Sequence, residues 1–130
     1  MSGRKASDFM STDLVLLATD MDLNHAIDLM VEHDVSGAPV LGAGGALVGI
    51  LTEKDCFRAV FQANYHRDSV GTVGDHMSAP VEVIQAETEV VAVVEMFHRS
   101  PHRRFPVVAN GRLVGLLSRR DVLRAVQSLG

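Results

Sequence analysis

Apolar residues recur at helical spacing in both halves of the chain. In the first half they occupy positions i, i+3, i+4, i+7 and i+8, which predicts a helix with one buried stripe that starts at Asp20 or Asp22. In the second half the same spacing returns 67 residues later and predicts a helix that starts at Glu87 or Thr88. The first stripe consists of Leu23, Ala26, Ile27, Met30 and Val31, and the second of Val90, Val93, Val94 and Phe97.

Short apolar runs before and after these stripes predict strands. Residues 14–17 and 80–84 precede the two helices, and each helix is followed by two runs separated by a turn. The first turn, 42–45, is rich in glycine, and the second is Asn110-Gly111, a strong signal for a tight hairpin. The hairpin strands are predicted at 36–41 with 47–51 and at 105–108 with 112–117. Thr52 and Ser118 are predicted to cap closing helices that end near Asn64 and Ser128.

The two halves are copies of one pattern. Gly49-Ile50-Leu51-Thr52-Glu53-Lys54-Asp55 returns 66 residues later as 115–121, whereas Asp8-Phe9-Met10-Ser11 returns 67 residues later as 75–78. The one-residue difference falls in the glycine-rich turn, where a duplicated fold tolerates an indel. We therefore predict an α+β fold of tandem repeats with pseudo-twofold symmetry, each repeat a small three-stranded sheet packed on two helices. The predicted boundaries are a loose N-terminal tail at 1–7, repeat one at 8–64, a linker at 65–72 and repeat two at 73–128, with Ser7 capping a turn through Met10.

Composition and motifs disfavour several classes of protein. The 130 residues carry a formal net charge of −4, which argues against a nucleic-acid surface. The apolar runs are too short to span a bilayer and residues 1–6 contain no signal-peptide core, so a soluble, cytoplasmic protein is expected. The single cysteine, Cys56, is interpreted as a core or half-buried thiol and not as a nucleophile. The six histidines show no metal-ligand spacing, and no nucleotide-hydrolase loop or nucleophile motif is present, so we expect neither a metal site nor an enzyme.

Each closing helix begins at a strand–helix corner that carries candidate binding groups. The free N–H groups of a first helical turn favour anions, and the hydroxyl of Thr52 or Ser118 can contact a phosphate or a sugar. Asp55 and Asp121 can each accept two hydrogen bonds at once, which suits a ribose diol. Thr52-x-x-Asp55 and Ser118-x-x-Asp121 also match the capping-box pattern, which requires no ligand. Both interpretations stay open at this stage.

The residues before the second hairpin are basic, and those before the first are not. Pro101-His102-Arg103-Arg104 stands where the first repeat has Asp34-Val35-Ser36-Gly37. Guanidinium groups bind phosphate oxygens in a bidentate manner, so a phosphate is expected at the second corner. The alternative is that these arginines belong to a solvated or dimer-facing loop.

The repeated order of elements resembles the CBS domain. The resemblance is carried by Gly-h-h-Ser/Thr-x-x-Asp after each hairpin and by Ala38-Pro39-Val40 and Phe105-Pro106-Val107 at its start, and it covers 8–126. The pair looks like a CBS-pair, or Bateman, module without further domains. The resemblance implies a regulatory, energy-sensing protein that binds an adenosine-type nucleotide such as AMP, ADP or ATP in the cleft between repeats, with S-adenosylmethionine or NAD as other candidates and no required cofactor.

The resemblance also implies the binding residues and a partner. We expect the better site at Leu116, Ser118, Arg120, Asp121 and Arg104, closed by Ser36 and Gly37 of the first repeat. CBS pairs commonly form flat homodimers through their helices, and the alternative function is a ligand-free dimerisation or protein-interaction module. The interface candidates are Met30, Phe57, Val60, Phe97, Leu123 and Val126. The full set of candidate nucleotide-binding residues is Met10, Val15, Ser36, Gly37, Ala38, Ile50, Thr52, Asp55, Met77, Glu82, His102, Arg103, Arg104, Leu116, Ser118, Arg120 and Asp121.

Overall fold

The chain divides into two compact units, neither of which is a contiguous sequence repeat. In a computed structural model that describes residues 4–66, 68 and 70–129, one unit combines Met1–Leu14 with Glu82–Gly130, and the other is Val15–Val81. We call them the split unit and the continuous unit. The short segment that opens each repeat in the sequence therefore packs with the closing hairpin and helix of the other repeat.

The continuous unit holds a three-stranded sheet over its described residues. Strand β1 (Leu17–Ala18) leads to helix α2 (Leu23–Glu32), followed by β2 (Gly37–Leu41), β3 (Leu47–Thr52), α3 (Glu53–Gln62) and the short α4 (Val73–His76). The sheet order is β1-β2-β3, parallel between the first two strands and antiparallel between the last two. Asp22 caps α2 because its side chain accepts a hydrogen bond from the backbone N–H of Asn24 at 2.8 Å. The hairpin turn includes a single 3-10 turn at Ala43–Gly45.

The split unit repeats this layout over its described residues. It begins with α1 (Ala6–Phe9) and continues with β4 (Ile84–Gln85), α5 (Val90–Arg99), β5 (Arg104–Ala109), β6 (Arg112–Ser118) and α6 (Arg119–Ser128), in sheet order β4-β5-β6. Asn110 and Gly111 have φ angles of 52° and 76° at the hairpin turn, as a primed two-residue turn requires. The predicted α+β class, the hairpins and the three-stranded sheets are confirmed.

The helical stripes predicted from periodicity face the cores. Leu23, Ala26 and Met30 are buried in the continuous unit, as are Val90 and Val93 in the split unit. Ile27 and Phe97 are half-buried. The prediction was wrong for Val31 and Val94, which are 75% and 38% exposed because the buried stripe is narrower than the apolar pattern. Each unit has its own apolar cluster, one around Leu17, Leu51 and Val73 and the other around Ile84, Phe105 and Leu117.

The first strand of each sheet is much shorter than predicted. Leu17 pairs with Val40, so the next pairing toward the N-terminus would place Leu16 beside Pro39. Proline has no N–H to donate, and the parallel ladder ends there. Leu16 is accordingly 47% exposed rather than part of a buried strand. The same reason applies to β4, where Ile84 pairs with Val107 and the residue before Val107 is a proline.

The N-terminal segment is ordered where it is described, contrary to the prediction of a loose tail. Ala6 is 1% exposed, and its N–H donates to the carbonyl of Thr88 at 2.8 Å. Arg4 in turn accepts from the N–H of Val90 at 2.8 Å. This pairing explains why α5 begins after Glu89 without a side-chain cap and why Lys5, not Ser7, is the N-cap of α1. Residues 1–3 of the predicted tail and residues 67 and 69 of the predicted linker lie outside the described part of the chain.

Candidate ligand-binding corners

In the continuous unit, β3 runs directly into α3 through a capping box. The N–H of Asp55 donates to Oγ1 of Thr52 at 3.2 Å, and Oδ2 of Asp55 accepts from the N–H of Thr52 at 2.9 Å. Asp55 is 3% exposed. The capping interpretation of this motif is therefore confirmed at this corner, since two of the otherwise free backbone donors of the helix start are satisfied by side chains of the motif.

The carboxylate of Asp55 has two further protein partners. Nη2 of Arg58 lies 2.8 Å from Oδ1, and Oγ of Ser78 lies 3.2 Å from each carboxylate oxygen. Arg58 also donates to the carbonyl of His76 at 3.3 Å. Met77 packs on Gly49 of β3, where an added Cβ would lie 2.5 Å from its sulfur. This carboxylate is thus closely surrounded by donors that belong to its own unit.

The split unit repeats the corner with Ser118 and Asp121. The N–H of Asp121 donates to Oγ of Ser118 at 3.2 Å, and Oδ2 of Asp121 accepts from the N–H of Ser118 at 2.9 Å. Arg124 pairs with Oδ1 of Asp121, as Arg58 does with Asp55. Met10 packs on Gly115 so closely that a Cβ there would clash with its side chain.

The two corners differ in the third partner of the aspartate. The counterpart of Ser78 is Ser11. Both serines are exposed and both are held by backbone pairing, Ser78 with Ile50 at 2.8 and 3.1 Å and Ser11 with Leu116 at 2.9 and 3.0 Å, so the difference lies in the side-chain hydroxyl. Within the described part of the chain, no hydroxyl equivalent to that of Ser78 reaches the Asp121 carboxylate. The side chain of Asp121 is 11% exposed and that of Asp55 is 4% exposed. A carboxylate has about four acceptor sites, so Asp121 keeps more capacity for an incoming donor.

The basic segment lies at the Asp121 corner. Arg104, the first residue of β5, pairs with Ser118 in the sheet register, and the carbonyl of Arg103 accepts from the N–H of Arg119 at 3.1 Å. Arg103 is exposed and Arg104 is half-buried. His102 lies 4.0 Å from Glu82 through Nε2, and its ring meets that of Phe105 edge-on.

The equivalent positions at the other corner are small and uncharged. The carbonyl of Ser36 accepts from the N–H of Glu53 at 3.1 Å, and Gly37 pairs with Thr52 in the sheet. The additional positive charge of Arg103 and Arg104 is therefore a property of the Asp121 corner, where it adds to the field of the α6 N-terminus.

The structure sorts the predicted binding residues into the two units. Ala38 is 0% exposed and belongs to the core, so its side chain is closed to a ligand in this conformation, and Gly37 is buried too. Because Ser36 and Gly37 belong to the continuous unit, their role in closing the Asp121 site stays a prediction. The split unit contains Met10, Glu82, His102, Arg103, Arg104, Leu116, Ser118, Arg120 and Asp121, and the continuous unit contains Val15, Ser36, Gly37, Ala38, Ile50, Thr52, Asp55 and Met77.

Sequence reasoning missed three partners of the aspartates. Arg58 and Arg124 follow the aspartates by three residues in both repeats, and this repetition is a signal that could have identified them. Ser78 was visible only as part of the repeated opening segment, and its contact with Asp55 depends on the tertiary fold. Thr72 and Asp75 form another capping box, at α4, whose Thr-x-x-Asp pattern is likewise visible in the sequence.

The candidate interface residues differ in exposure. Phe57, Leu123 and Val126 are 74%, 68% and 42% exposed. Met30, in contrast, is buried in the core because it faces the sheet, and Phe97 is half-buried with its ring edge-on to that of Phe105. The remaining candidate, Val60, is half-buried against the core of the continuous unit.

Other chemistry finds little support in the described residues. Burial raises the pKa of the Cys56 thiol to about 11, which disfavours the nucleophilic thiolate. Among the side chains that the structure describes, no group of three or more His, Cys, Asp or Glu is placed to hold a metal ion. The helices of the same described residues include none with the length and apolar character needed to cross a membrane.

The sequence is similar to the CBS domain and to proteins from other organisms. The sequence profile of the CBS domain matches residues 6–62 and 73–128. The chain is 33% identical over 113 residues to the mitochondrial CBS domain-containing protein CBSX3 of Arabidopsis thaliana, covering 83% of this chain and 54% of that protein. An uncharacterized Methanocaldococcus jannaschii protein, MJ1225, is 27% identical over 121 residues, covering 93% and 42%. The chain therefore spans about half the length of these curated relatives.

Solved structures share the fold over almost the entire chain. The crystal structure of CBSX2 in complex with AMP has a TM-score of 0.85 and 28% identity, and the match covers 98% of each chain. CBSX2 is a CBS-pair protein from Arabidopsis thaliana, and a second structure of it gives a TM-score of 0.84 with 27% identity, covering 98% of this chain and 97% of that chain.

Proposed function

The chain belongs to the CBS domain family, with two copies in tandem, and we propose that it is a regulatory module that binds an adenosine-type nucleotide such as AMP, ADP or ATP. The observation that carries this proposal is the Asp121 corner, which joins a hydroxyl, an aspartate, a helix N-terminus and a basic segment within one unit. The AMP complex of CBSX2, which shares the fold over 98% of each chain, supports this class of ligand.

Each group at the Asp121 corner has a chemical role in the proposed complex. The Asp121 carboxylate accepts hydrogen bonds from the two hydroxyls of a ribose, which requires acceptor capacity beyond its bonds to Ser118 and Arg124. The positive end of α6 and the guanidinium groups of Arg103 and Arg104 favour the phosphates. Exposed Arg120 extends this positive field along the first turn of α6.

Regulation follows if the nucleotide binds one conformation better than another. A ligand shifts a conformational or oligomeric equilibrium only by the difference between its affinities for the two states. We propose that the bound nucleotide draws Asp121 and the arginines of the basic segment into contacts that the ligand-free chain lacks, and that a partner surface reads this change. The protein acts in this proposal as a sensor, not as an enzyme, in the cytoplasm and as a homodimer.

Thermal unfolding in the presence of a ligand panel tests the proposal. The panel contains AMP, ADP, ATP, S-adenosylmethionine and NAD, and a ligand present at 100 times its dissociation constant should stabilise the folded state by about 2.7 kcal/mol. Adenosine without phosphate serves as the matched control, because it keeps the ribose and the base but lacks the groups that the arginines would bind. A panel in which no compound raises the midpoint would contradict the proposal.

One observation favours a second candidate function, a ligand-free dimerisation or protein-interaction module. Both oxygens of Asp55 and both oxygens of Asp121 already accept hydrogen bonds from the protein. In addition, large apolar side chains such as Phe57 and Leu123 are exposed on helices. The same panel separates the two candidates, because a pure interaction module would show no stabilisation by any nucleotide while its self-association stayed measurable.

A further inference from the structure

Arg124 is a movable partner of the Asp121 carboxylate. Oδ2 of Asp121 accepts from the backbone N–H of Ser118, which the first turn of α6 holds in place. Oδ1 accepts from Nη2 of Arg124, whose side chain is 58% exposed. A long, exposed side chain can turn into water without burying its charge, whereas the N–H of Ser118 can leave only if the helix start unfolds.

The carboxylate of Asp121 has acceptor sites to spare but little exposed surface. Two of its roughly four acceptor sites are taken by Ser118 and Arg124. The side chain of Asp121 is nevertheless only 11% exposed, so a ribose that engages both oxygens must displace a group that now covers them. Arg124 lies on Oδ1 and is itself open to solvent, which makes it the group that a ligand can displace most easily.

The matching arginine of the continuous unit is held by more contacts. Nη2 of Arg58 bonds to Oδ1 of Asp55 and also donates to the carbonyl of His76 at 3.3 Å. The counterpart of His76 is Phe9, and within the part of the chain that the structure describes no hydrogen bond joins Arg124 to its carbonyl. The side chain of Arg58 is also the less exposed of the two, at 46%.

The charges along the two closing helices are alike in one respect and differ in another. Lys54 stands at the position of Arg120, so a like charge one turn before the arginine is common to both corners. At the first position of the helix, however, α3 has Glu53 and α6 has Arg119. Arg119, Arg120 and Arg124 line one shallow depression on α6, and repulsion among three like charges weakens the hold of Asp121 on Arg124.

We propose that Arg124 closes the Asp121 corner in the ligand-free chain and leaves the carboxylate when the two hydroxyls of a ribose take its place. Arg124 is thus an internal competitor that lowers the affinity for the ligand, while Arg58 keeps its pairing at the other corner. An ion pair this exposed is weak, so hydrogen bonds from a ribose can replace it. This inference rests on the proposed function and adds a regulatory contact to it. It also explains how a corner whose carboxylate oxygens are both occupied can admit a nucleoside.

Isothermal titration calorimetry with adenosine tests the proposal, because an uncharged nucleoside reports the ribose contact without the attraction between phosphate and arginine. Arg124→Met removes the guanidinium but keeps an unbranched side chain, and it should raise the affinity for adenosine about twofold to fivefold. Arg58→Met is the matched control and should bind adenosine as the parent does. Circular dichroism melting verifies that both variants are folded.

Three results of this titration would overturn the proposal. Unchanged affinity of Arg124→Met would mean that Arg124 does not compete with the ligand. Lower affinity would mean that Arg124 positions the carboxylate for the ribose instead of closing it. An equal gain for Arg58→Met would mean that the loss of any arginine on a closing helix has the same effect.

A change of ligand shows whether the gain depends on the ribose diol. The nucleoside 2′-deoxyadenosine lacks one of the two hydroxyls, so Arg124→Met should improve its binding less than that of adenosine. An equal improvement for both nucleosides would mean that Arg124 hinders the base and not the ribose, and it would overturn the proposal.

The dependence of adenosine binding on salt is a readout of the ion pair itself. Raising NaCl from about 0.05 M to about 0.5 M screens an exposed pair of charges, so the affinity of the parent should rise about twofold relative to that of Arg124→Met. The comparison with the variant cancels the effect of salt on burial of the adenine ring. Parallel salt dependences of the parent and Arg124→Met would overturn the proposal.

Failure of this inference can be told apart from failure of the proposed function. If the parent binds AMP and adenosine but Arg124→Met binds adenosine no better, the nucleotide-sensing function stands and the role of Arg124 falls. If neither the parent nor Arg124→Met binds adenosine or any compound of the nucleotide panel, both fall. Binding of adenosine by Arg124→Met alone would support both.

Discussion

The two strand–helix corners are built alike, but the protein satisfies one aspartate more completely than the other. Asp55 accepts from a backbone N–H, from Arg58 and from Ser78, whereas the contacts described for Asp121 are with the N–H of Ser118 and with Arg124. A corner whose donors are all internal contributes to folding. A corner with acceptor capacity left over, next to positive charge, suits a ligand. In the proposed function, the duplication lets one corner serve stability while the other serves binding.

The largest expected effect is on nucleotide affinity. Asp121→Asn keeps the size of the side chain but removes the negative charge of the carboxylate that is proposed to accept hydrogen bonds from the ribose hydroxyls, so affinity for the best nucleotide of the panel should fall by about 30-fold or more. Asp55→Asn should change it less than about threefold, because the carboxylate of Asp55 is occupied by partners within its own unit. Isothermal titration calorimetry of the two variants measures the contrast.

One result of the calorimetric titration would contradict the predicted difference between the corners. Equal losses for Asp55→Asn and Asp121→Asn, or no loss for either, would remove the functional difference between the corners. Arg103→Gln gives an independent comparison, since Ser36 occupies the matching position of the first repeat. This variant should weaken the binding of ATP more than the binding of adenosine, because the guanidinium of Arg103 is proposed to bind phosphate.

The effects on stability should have the reverse order, with a larger loss for substitution of Asp55 than of Asp121. Asp55→Ala removes the capping bond, the Arg58 pair and the Ser78 contact, and it should lower the free energy of unfolding by about 2–3 kcal/mol, with only a small part from Arg58 because that side chain is 46% exposed. Asp121→Ala lacks the third contact and should cost about 1–2 kcal/mol. Urea unfolding at pH 7 measures both values.

Ser78 provides the matched control for this difference. Ser78→Ala should account for about 1 kcal/mol of the effect of Asp55→Ala, whereas Ser11→Ala should be nearly neutral, because no contact of the Ser11 hydroxyl with Asp121 is described. If Asp121→Ala lowered the free energy of unfolding as much as Asp55→Ala, the Ser78 contact would contribute no stability. The corners would then differ only in the charge around them.

Most of the fold could be predicted because its elements depend on local patterns in the sequence. The stripes of α2 and α5, the Asn110-Gly111 turn and the hydroxyl caps at Thr52 and Ser118 each depend on a few neighbouring residues. The length of β1 could not be read in this way, since it depends on which residue of β2 lies opposite. Pro39 lies opposite Leu16, and only the pairing of β1 with β2 shows this.

The candidate site was predictable in its motif but not in its surroundings. The repeated Asp-x-Met-Ser segments mark equivalent positions, yet no local pattern states that residues 8–11 pack on β6 and 75–78 on β3. That exchange decides which serine lies beside which aspartate. Burial of Ala38 was also hidden, because a small apolar residue before a proline fits either a core or a pocket.

The smallest contrast lies one residue beyond each aspartate, where Cys56 corresponds to Val122. Burial raises the pKa of the Cys56 thiol from its ordinary value of 9.0 to about 11, and the carboxylates of Asp55 and Glu53 add to this effect. The unfolded chain therefore loses the thiol proton before the folded chain does. The stability that depends on the neutral thiol is present below pH 9 and is lost as the pH rises toward 11.

Cys56→Val makes the two corners alike at this position and should sharpen the comparison. The free energy of unfolding at pH 7 should stay within about 1 kcal/mol of the parent, since a half-buried thiol and a valine side chain are similar in volume and polarity. The decline between pH 9 and pH 11, where the thiol of the parent titrates, should be shallower in the variant. Urea unfolding under reducing conditions at both pH values measures it, with Val122→Thr as a control of similar size that introduces no titrating group. A decline as steep as that of the parent would mean that lysine or tyrosine titration, not Cys56, sets the alkaline limit of this fold.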